Sequence, residues 1–255
     1  MKRIMVLALA MLTTLGPAVA ARAAGLNDVI RTLETPFQTD APTAAAIRDF
    51  QGDFSQESRI ASLDRVQRGR GRVAVKFKRL QRDRPPLAMF RWEYDQPTNQ
   101  EIISDGQTIW VYMPENNQVI RSDIDVVNRT DANDPLTFLT GLGNLSRDFN
   151  IGWAEPNRDG EGNWVLEMTP RRPSPMIARL LIVVDRHAVR EFTANGTVDH
   201  YLPMLSSTVY DPNGNSTIIE FSDIRVNRGL SDSYFDFSVP AGVDVVRPTG
   251  QGMGF

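Results

Sequence analysis

The sequence predicts a mainly β protein with a few helices (α+β), folded as a barrel or a strongly curved antiparallel sheet. Three observations carry that prediction. From Phe50 onward apolar residues recur with a period of two rather than of three to four. Strand-length segments follow one another at short intervals, and Gly, Asn, Asp and Pro fill the gaps between them. No cysteine occurs among the 255 residues, so a core rather than disulfides must hold the fold, and the length suits one β-rich domain.

The elements follow in order. Lys2 and Arg3, the apolar run Ile4 to Leu15 and Ala18-Val19-Ala20 form the n-region, h-region and cleavage site of a secretory signal. Residues 1–20 are therefore expected to be a signal peptide cleaved near Ala20 or Ala23, delivering a soluble chain to the periplasm. The run is too short to span a bilayer, which takes roughly 20 residues. Leu26, Val29, Ile30 and Leu33 lie at helical spacing, with Pro36 as the stop. Ala44 to Ile47 reads as a second short helix. Arg72 to Lys78 alternates, with Val73, Val75 and Phe77 on one face and cations on the other. Leu87 to Tyr94 puts Phe90, Trp92 and Tyr94 on one side. Glu101 to Ser104 and Gln107 to Tyr112 flank Asp105-Gly106, a hairpin signal. Gln118 to Ile124 follows, then Pro135 opening a helical stretch, Leu136 to Leu142. Strands are then predicted at Phe149 to Trp153, Trp164 to Met168, Ile177 to Val184, Leu205 to Tyr210 and Thr217 to Val226. Residues 21–246 read as a single domain and 247–255 as a flexible Gly-rich tail.

Composition excludes several classes. The full chain has a net charge of −3, and export makes nucleic acid an unexpected partner. The charge is uneven: from Arg65 to Arg91 ten bases face a single acid, Asp83. That segment is either a solvated strand face or a docking surface for an acidic partner or anionic lipid. No catalytic constellation assembles. The histidines are His187 and His200, no thiol exists, and no G-x-S-x-G, H-E-x-x-H or phosphate-loop pattern occurs. Asp211-x-Asn213-x-Asn215 fails as a calcium loop, because Ser216 and Ser222 stand where Gly and Glu are needed. The expectation is a non-enzyme with no cofactor and no metal.

What remains is an aromatic set, Phe90, Trp92, Tyr94, Trp110, Tyr112, Phe138, Trp153 and Trp164. Alternation alone does not tell a packed core from a cavity. Phe90-Arg91-Trp92-Glu93-Tyr94, Pro97, Ile103-Ser104-Asp105-Gly106, Ile109-Trp110-Val111-Tyr112 and Gln118-Val119 form one series. Phe50-Gln51-Gly52-Asp53-Phe54-Ser55-Gln56, Pro135-Leu136 to Gly141, Phe235-Asp236-Phe237 and Pro240-Ala241-Gly242-Val243-Asp244-Val245 flank it. Together, and in this order, they resemble the periplasmic outer-membrane lipoprotein carrier (LolA) family.

The resemblance implies an incomplete, strongly curved antiparallel β-barrel closed by a helical lid over an apolar cavity. It implies a monomeric periplasmic carrier that binds lipoprotein acyl chains and shuttles them from the inner to the outer membrane. The implied partners are an ATP-driven inner-membrane lipoprotein-releasing complex and an outer-membrane lipoprotein receptor. Phe90, Trp92, Tyr94, Trp110, Tyr112, Val75 and Phe77 would line the cavity, and Leu26, Ile30, Leu33, Leu136 and Leu139 would face it from the lid. Arg84, before Pro85, is the nearest match to the family's lid-and-release arginine, with two extra residues between it and Phe90. The alternative is an envelope sensor of lipids or lipoproteins, or a carrier of another lipid, on the same half-barrel.

Overall fold

Period-two patterning is realised as twelve strands of one sheet in the computed structural model, which describes residues 24–78, 87–124, 142–198 and 200–247. The strands are β1 (Asp49–Ile60), β2 (Arg65–Lys78), β3 (Leu87–Gln96), β4 (Gln100–Ser104), β5 (Thr108–Met113), β6 (Gln118–Asp123), β7 (Phe149–Arg158), β8 (Trp164–Pro170), β9 (Arg179–Val184), β10 (Met204–Tyr210), β11 (Ser216–Val226) and β12 (Asp244–Val246). Their spatial order is β12-β6-β5-β4-β3-β2-β1-β11-β10-β9-β8-β7, antiparallel throughout except for the parallel β12–β6 pair. The sheet is open, with β7 and β12 at its edges, so it is curved but not closed.

Irregular pairings accompany the curvature. The β1–β11 register shifts between Gln51 and Asp53, opposite Asp223 at φ 52°. A Cβ on Gly52 would stand 2.6 Å from Ile224 Cδ1 and 2.8 Å from the Ser222 carbonyl oxygen, so only glycine fits. The β2–β3 register shifts beside Gly71, where a Cβ would collide with the Glu93 carbonyl. Paired with long strands, such bulges bend a sheet across its width.

Alternation then assigns each strand two faces. On the inner face Val73 pairs with Trp92, Trp92 with Ile102 and Ile102 with Val111. Three helices cover that face in part: α1 (Leu26–Glu34), the single turn α2 (Leu145–Asp148) and α3 (Arg186–Asn195). Val29 and Leu33 of α1, Leu145 of α2 and Val189 and Phe192 of α3 join the sheet's residues in one apolar core. Among the described residues no helix is long and apolar enough to cross a membrane.

The outer face of β2–β6 is covered by the C-terminal segment, Arg228 to Val246, which crosses it as a strap. Phe235 is fully buried against Ala74 and Met89. Lys76 and Lys78 each reach Asp232 at 2.7 Å, and Arg91 donates to the Tyr234 carbonyl at 3.0 Å. Phe237 packs on Trp110 and Tyr112, and Asn117 holds the Gly242 carbonyl at 2.8 Å before β12 joins β6. Buried Asp49 starts the strap by accepting the N–H groups of Arg228 and Gly229 at 2.7 and 3.1 Å.

Most predicted elements stand where periodicity put them. The expected helix at Ala44 to Ile47 is instead a turn, with the Ala45 and Ala46 N–H groups returning to the Pro42 carbonyl. Helix α3 was not expected, although Asp185 caps it through the His187 and Ala188 N–H groups and Gly196 ends it at φ 73°. The helical stretch expected at Leu136 to Leu142, except Leu142 itself, lies outside the described residues, as do the signal segment and the tail beyond Arg247.

Asp49→Ala removes the buried acceptor for two strap donors and is expected to cost ~2 kcal/mol. Urea unfolding would show the lost stability, and limited proteolysis would show cleavage appearing first within residues 228–247.

Candidate functional site

The inner face of β1, β2, β3 and β11 is a floor of aromatic rings. Trp92 stands edge-on to Phe54 with centroids 4.7 Å apart, Phe54 edge-on to Tyr94 at 4.8 Å, and Phe221 lies 6.1 Å from Trp92. Toward α1, Phe50, Phe77 and Phe37 continue the series at 6.3 and 5.2 Å. Such edge-to-face contacts fix ring orientation beyond what area burial supplies.

Cover over this floor is uneven. Val75, Phe90, Trp92 and Leu33 are buried, at 0%, 2%, 5% and 0% exposure. Tyr94, Ile219, Phe221 and Val209 face the same side but are only half-buried, as are Leu26 and Ile30 of α1. Apolar side chains thus stay partly open to solvent on the inner face, where the helices of the described residues do not reach.

Past the rings the strands turn polar. The Tyr94 hydroxyl donates to Gln56 Oε1 at 2.7 Å, Gln56 Nε2 donates to Ser58 at 3.1 Å, and Ser58 meets Thr217 at 3.1 Å. Burial pushes the Tyr94 phenol up to about 12, so it stays a neutral donor. Inside the floor the Trp92 indole N–H is buried, with no hydrogen-bond partner among the described residues. An unpaired buried donor is unfavourable unless something carrying an acceptor arrives.

The helices are tied down sparingly. Helix α1 starts with the Gly25 N–H donating to Asp28 at 2.9 Å and packs against α3 through apolar side chains. At its C-terminal end Glu34, 8% exposed, accepts the Ser146 N–H at 2.5 Å and so links α1 to α2. Burial raises the Glu34 carboxyl above its ordinary value, only partly offset by that hydrogen bond.

Of the sequence-derived site residues, Phe90, Trp92, Tyr94, Val75, Phe77, Leu26, Ile30 and Leu33 come together on or over the floor. Trp110 and Tyr112 do not. In β5 it is Ile109, Val111 and Met113 that face inward, while Trp110 and Tyr112 point outward onto Phe237. Their expected place beside Phe90 and Trp92 is corrected, because β5 pairs Val111 with Ile102 and so inverts the face that a W-x-Y pattern suggests. Leu136, Leu139 and Arg84 lie outside the described residues. Sequence reasoning missed Phe37, Phe54 and Phe221 as members of the floor. Phe221 sits in a strand whose alternation is masked by the bulge at Gly52.

The chain matches the model of the family described as outer membrane lipoprotein carrier protein LolA over residues 45–238. It is 30% identical over 199 residues to the outer-membrane lipoprotein carrier protein of Nitrosospira multiformis, covering 78% of this chain and 82% of that one. It is 27% identical over 229 residues to the protein of the same name from Chromohalobacter salexigens, covering 86% and 94%. An uncharacterized conserved protein from Thermus thermophilus, solved by crystallography, aligns with a TM-score of 0.46 at 14% identity over 87% of this chain and 98% of that one.

Glu34 makes the link between α1 and α2 depend on pH. Its carboxyl binds a proton more tightly folded than unfolded, so its contribution to stability is full below the ordinary carboxyl range. That contribution is lost as pH rises through the raised folded value. Glu34→Gln keeps an acceptor for Ser146 and carries no charge. Relative to the wild type, it is expected to gain thermal stability as pH goes from about 4 to about 7. A wild-type-minus-variant difference in Tm that stays flat over that range would contradict this.

Proposed function

The chain belongs to the outer membrane lipoprotein carrier protein LolA family, and from that premise we propose that it carries lipoproteins by seating their acyl chains on the half-open inner face. The observation that carries this reading is the row of half-buried apolar side chains, Tyr94, Val209, Ile219 and Phe221, continuous with the buried aromatic floor. Each acyl methylene taken out of water is worth about 0.8 kcal/mol, so a lipidated protein leaves a membrane only for another apolar surface. Aromatic and branched side chains offer such a surface without demanding a particular cargo beyond its anchor. The unpaired Trp92 N–H supports the reading as well, since it is a donor suited to an acyl carbonyl.

In this proposal α1 and α3 form the lid, and occupancy displaces Leu26 and Ile30 from the floor. The site of action is the periplasm. The donor is an inner-membrane ATP-driven lipoprotein-releasing complex and the acceptor an outer-membrane lipoprotein receptor, as the family's name and the sequence resemblance suggest.

Phe90 and Trp92 are too deeply buried to test uptake by charge insertion, because an ionised group there is expected to unfold the protein. Ile219→Asp and Phe221→Asp place the charge on half-buried positions instead. Each is expected to cut capture of lipoproteins from inner-membrane vesicles at least ~tenfold with a modest change in Tm, a loss of about 1.4 kcal/mol in affinity. Trp110→Ala and Tyr112→Ala should lower stability through the strap and leave capture intact. Unchanged capture by both aspartate variants, with no acylated species found by native mass spectrometry of protein from its own periplasm, would sink the carrier reading.

A further inference from the structure

The β1–β2 hairpin runs out past β3, while β11 stays paired with β1 as far as Arg59. Strand β3 pairs with β2 only from Arg70 onward, so residues 65–69 of β2 have β1 on one side and no strand on the other among the described residues. The turn at 61–64 rests on the neighbouring hairpin, its Ala61 N–H donating to Asn215 at 2.9 Å. On this tip Leu63 is 67% exposed and Val66 41% exposed. Within residues 57–70 four arginines stand against two acids, with Glu220 of β11 lining the same groove as Arg68 and Arg70, in a chain whose overall charge is −3. Arg59 pairs with Asp64 at 3.2 Å and Arg68 with Glu57 at 2.9 Å, which leaves Arg65 and Arg70 without an ion pair among the described residues.

Bases on a free strand edge discourage edge-to-edge pairing, and that alone would explain the arginines. It does not explain a leucine at the apex and a valine beside it. Two aliphatic side chains at the tip, with Arg65 on one face of β2 and Arg70 on the face of Val66, match the water–lipid interface, where apolar groups enter the headgroup layer and cations meet phosphates. A stable protein partner would need roughly 800 Å² from each side, far more than two aliphatic side chains provide.

We propose that the tip of the β1–β2 hairpin is a docking element for an anionic phospholipid surface, with Leu63 and Val66 entering the headgroup layer and Arg65 and Arg70 bound to lipid phosphate. The position adds a consequence. The same strands run from the tip through Ser58, Gln56 and Thr217 to Ile219, Tyr94 and Phe221. Contact at the tip therefore turns the open end of the apolar face toward the lipid layer. The proposal does not depend on which cargo that face holds.

The test is flotation of the purified protein with vesicles of phosphatidylglycerol and phosphatidylethanolamine, and with vesicles of phosphatidylcholine alone. Wild-type protein is expected on the first and not the second, and to leave as salt shrinks the Debye length from about 8 Å toward 3 Å. Each arginine near an anionic surface is worth about fivefold in binding, so R65E/R70E is expected to bind more than tenfold more weakly. L63S/V66S is expected to lose binding with its salt dependence retained in the residue that remains. Capture of a fluorescent acyl probe in vesicle-free solution should be the same for all three proteins, which separates this element from the carrier site. Equal binding to both vesicle types, no binding by the wild type, or unchanged binding by both double variants would overturn the proposal. So would variants that impair only transfer to a protein receptor, since that outcome assigns the tip to a protein partner.

Discussion

Among the described residues, a curved sheet of twelve strands presents more inner face than three short helices cover, and much of the described structure follows from that mismatch. Alternation obliges one side of every strand to be apolar if the sheet is to fold at all. The helices bury the stretch from Phe37 and Phe50 to Phe90 and Trp92. They stop short of Tyr94, Val209, Ile219 and Phe221. Water against those side chains is unfavourable by roughly 25 cal/mol per Å² of apolar area, a cost that an apolar occupant would remove.

The two faces of β2 to β6 solve different problems with the same alternation. Inside, rings and aliphatic side chains make a surface. Outside, Arg91, Glu93, Glu101, Lys76 and Lys78 interleave with Ala74, Met89 and Ile103, and the strap covers the mixture. Arg91 shows how tightly that layer is used: its guanidinium meets Glu93 at 3.3 Å and Glu101 at 2.8 Å and stacks on Tyr234. The polar pairs on this side set the position of the strap, while Phe235 and Phe237 supply its apolar contacts.

That division also explains what the sequence made legible. Strands β3 to β6 could be placed closely because their alternation is unbroken and Asp105-Gly106 fixes a turn. Phe90, Trp92 and Tyr94 share the inner face with Val75 and Phe77 for the same reason. The W-x-Y pattern of Trp110 and Tyr112 misled, because aromatic residues on a strand covered on both sides fit either face. Only pairing register decides which, and register is a long-range property. Helix α3 escaped notice because Arg186-His187-Ala188-Val189-Arg190 is short and polar, although both of its caps were in view. The strap was invisible for a different reason: irregular backbone held by side-chain acceptors such as Asp49 has no period to detect.

A carrier faces a constraint that a storage protein does not, and the helices over the inner face, the lid of the proposed reading, bear on it. A lipid-binding face that stays bare in water favours aggregation, whereas one covered too firmly never opens. Helix α1 covers the floor with Leu26, Val29, Ile30 and Leu33, residues of the same chemistry as an acyl chain. Under the proposed reading, cargo and lid compete for one surface, so entry exchanges one aliphatic contact for another and the net affinity is a difference of similar terms. Each side chain of that kind is worth about 1.5–3 kcal/mol on full burial, comparable to two to four methylenes of cargo. Binding is then moderate by construction, and release needs no more than an acceptor that offers slightly more apolar surface. The buried Glu34 carboxylate fits this balance: its link to Ser146 holds the lid at the cost of keeping a charge out of water.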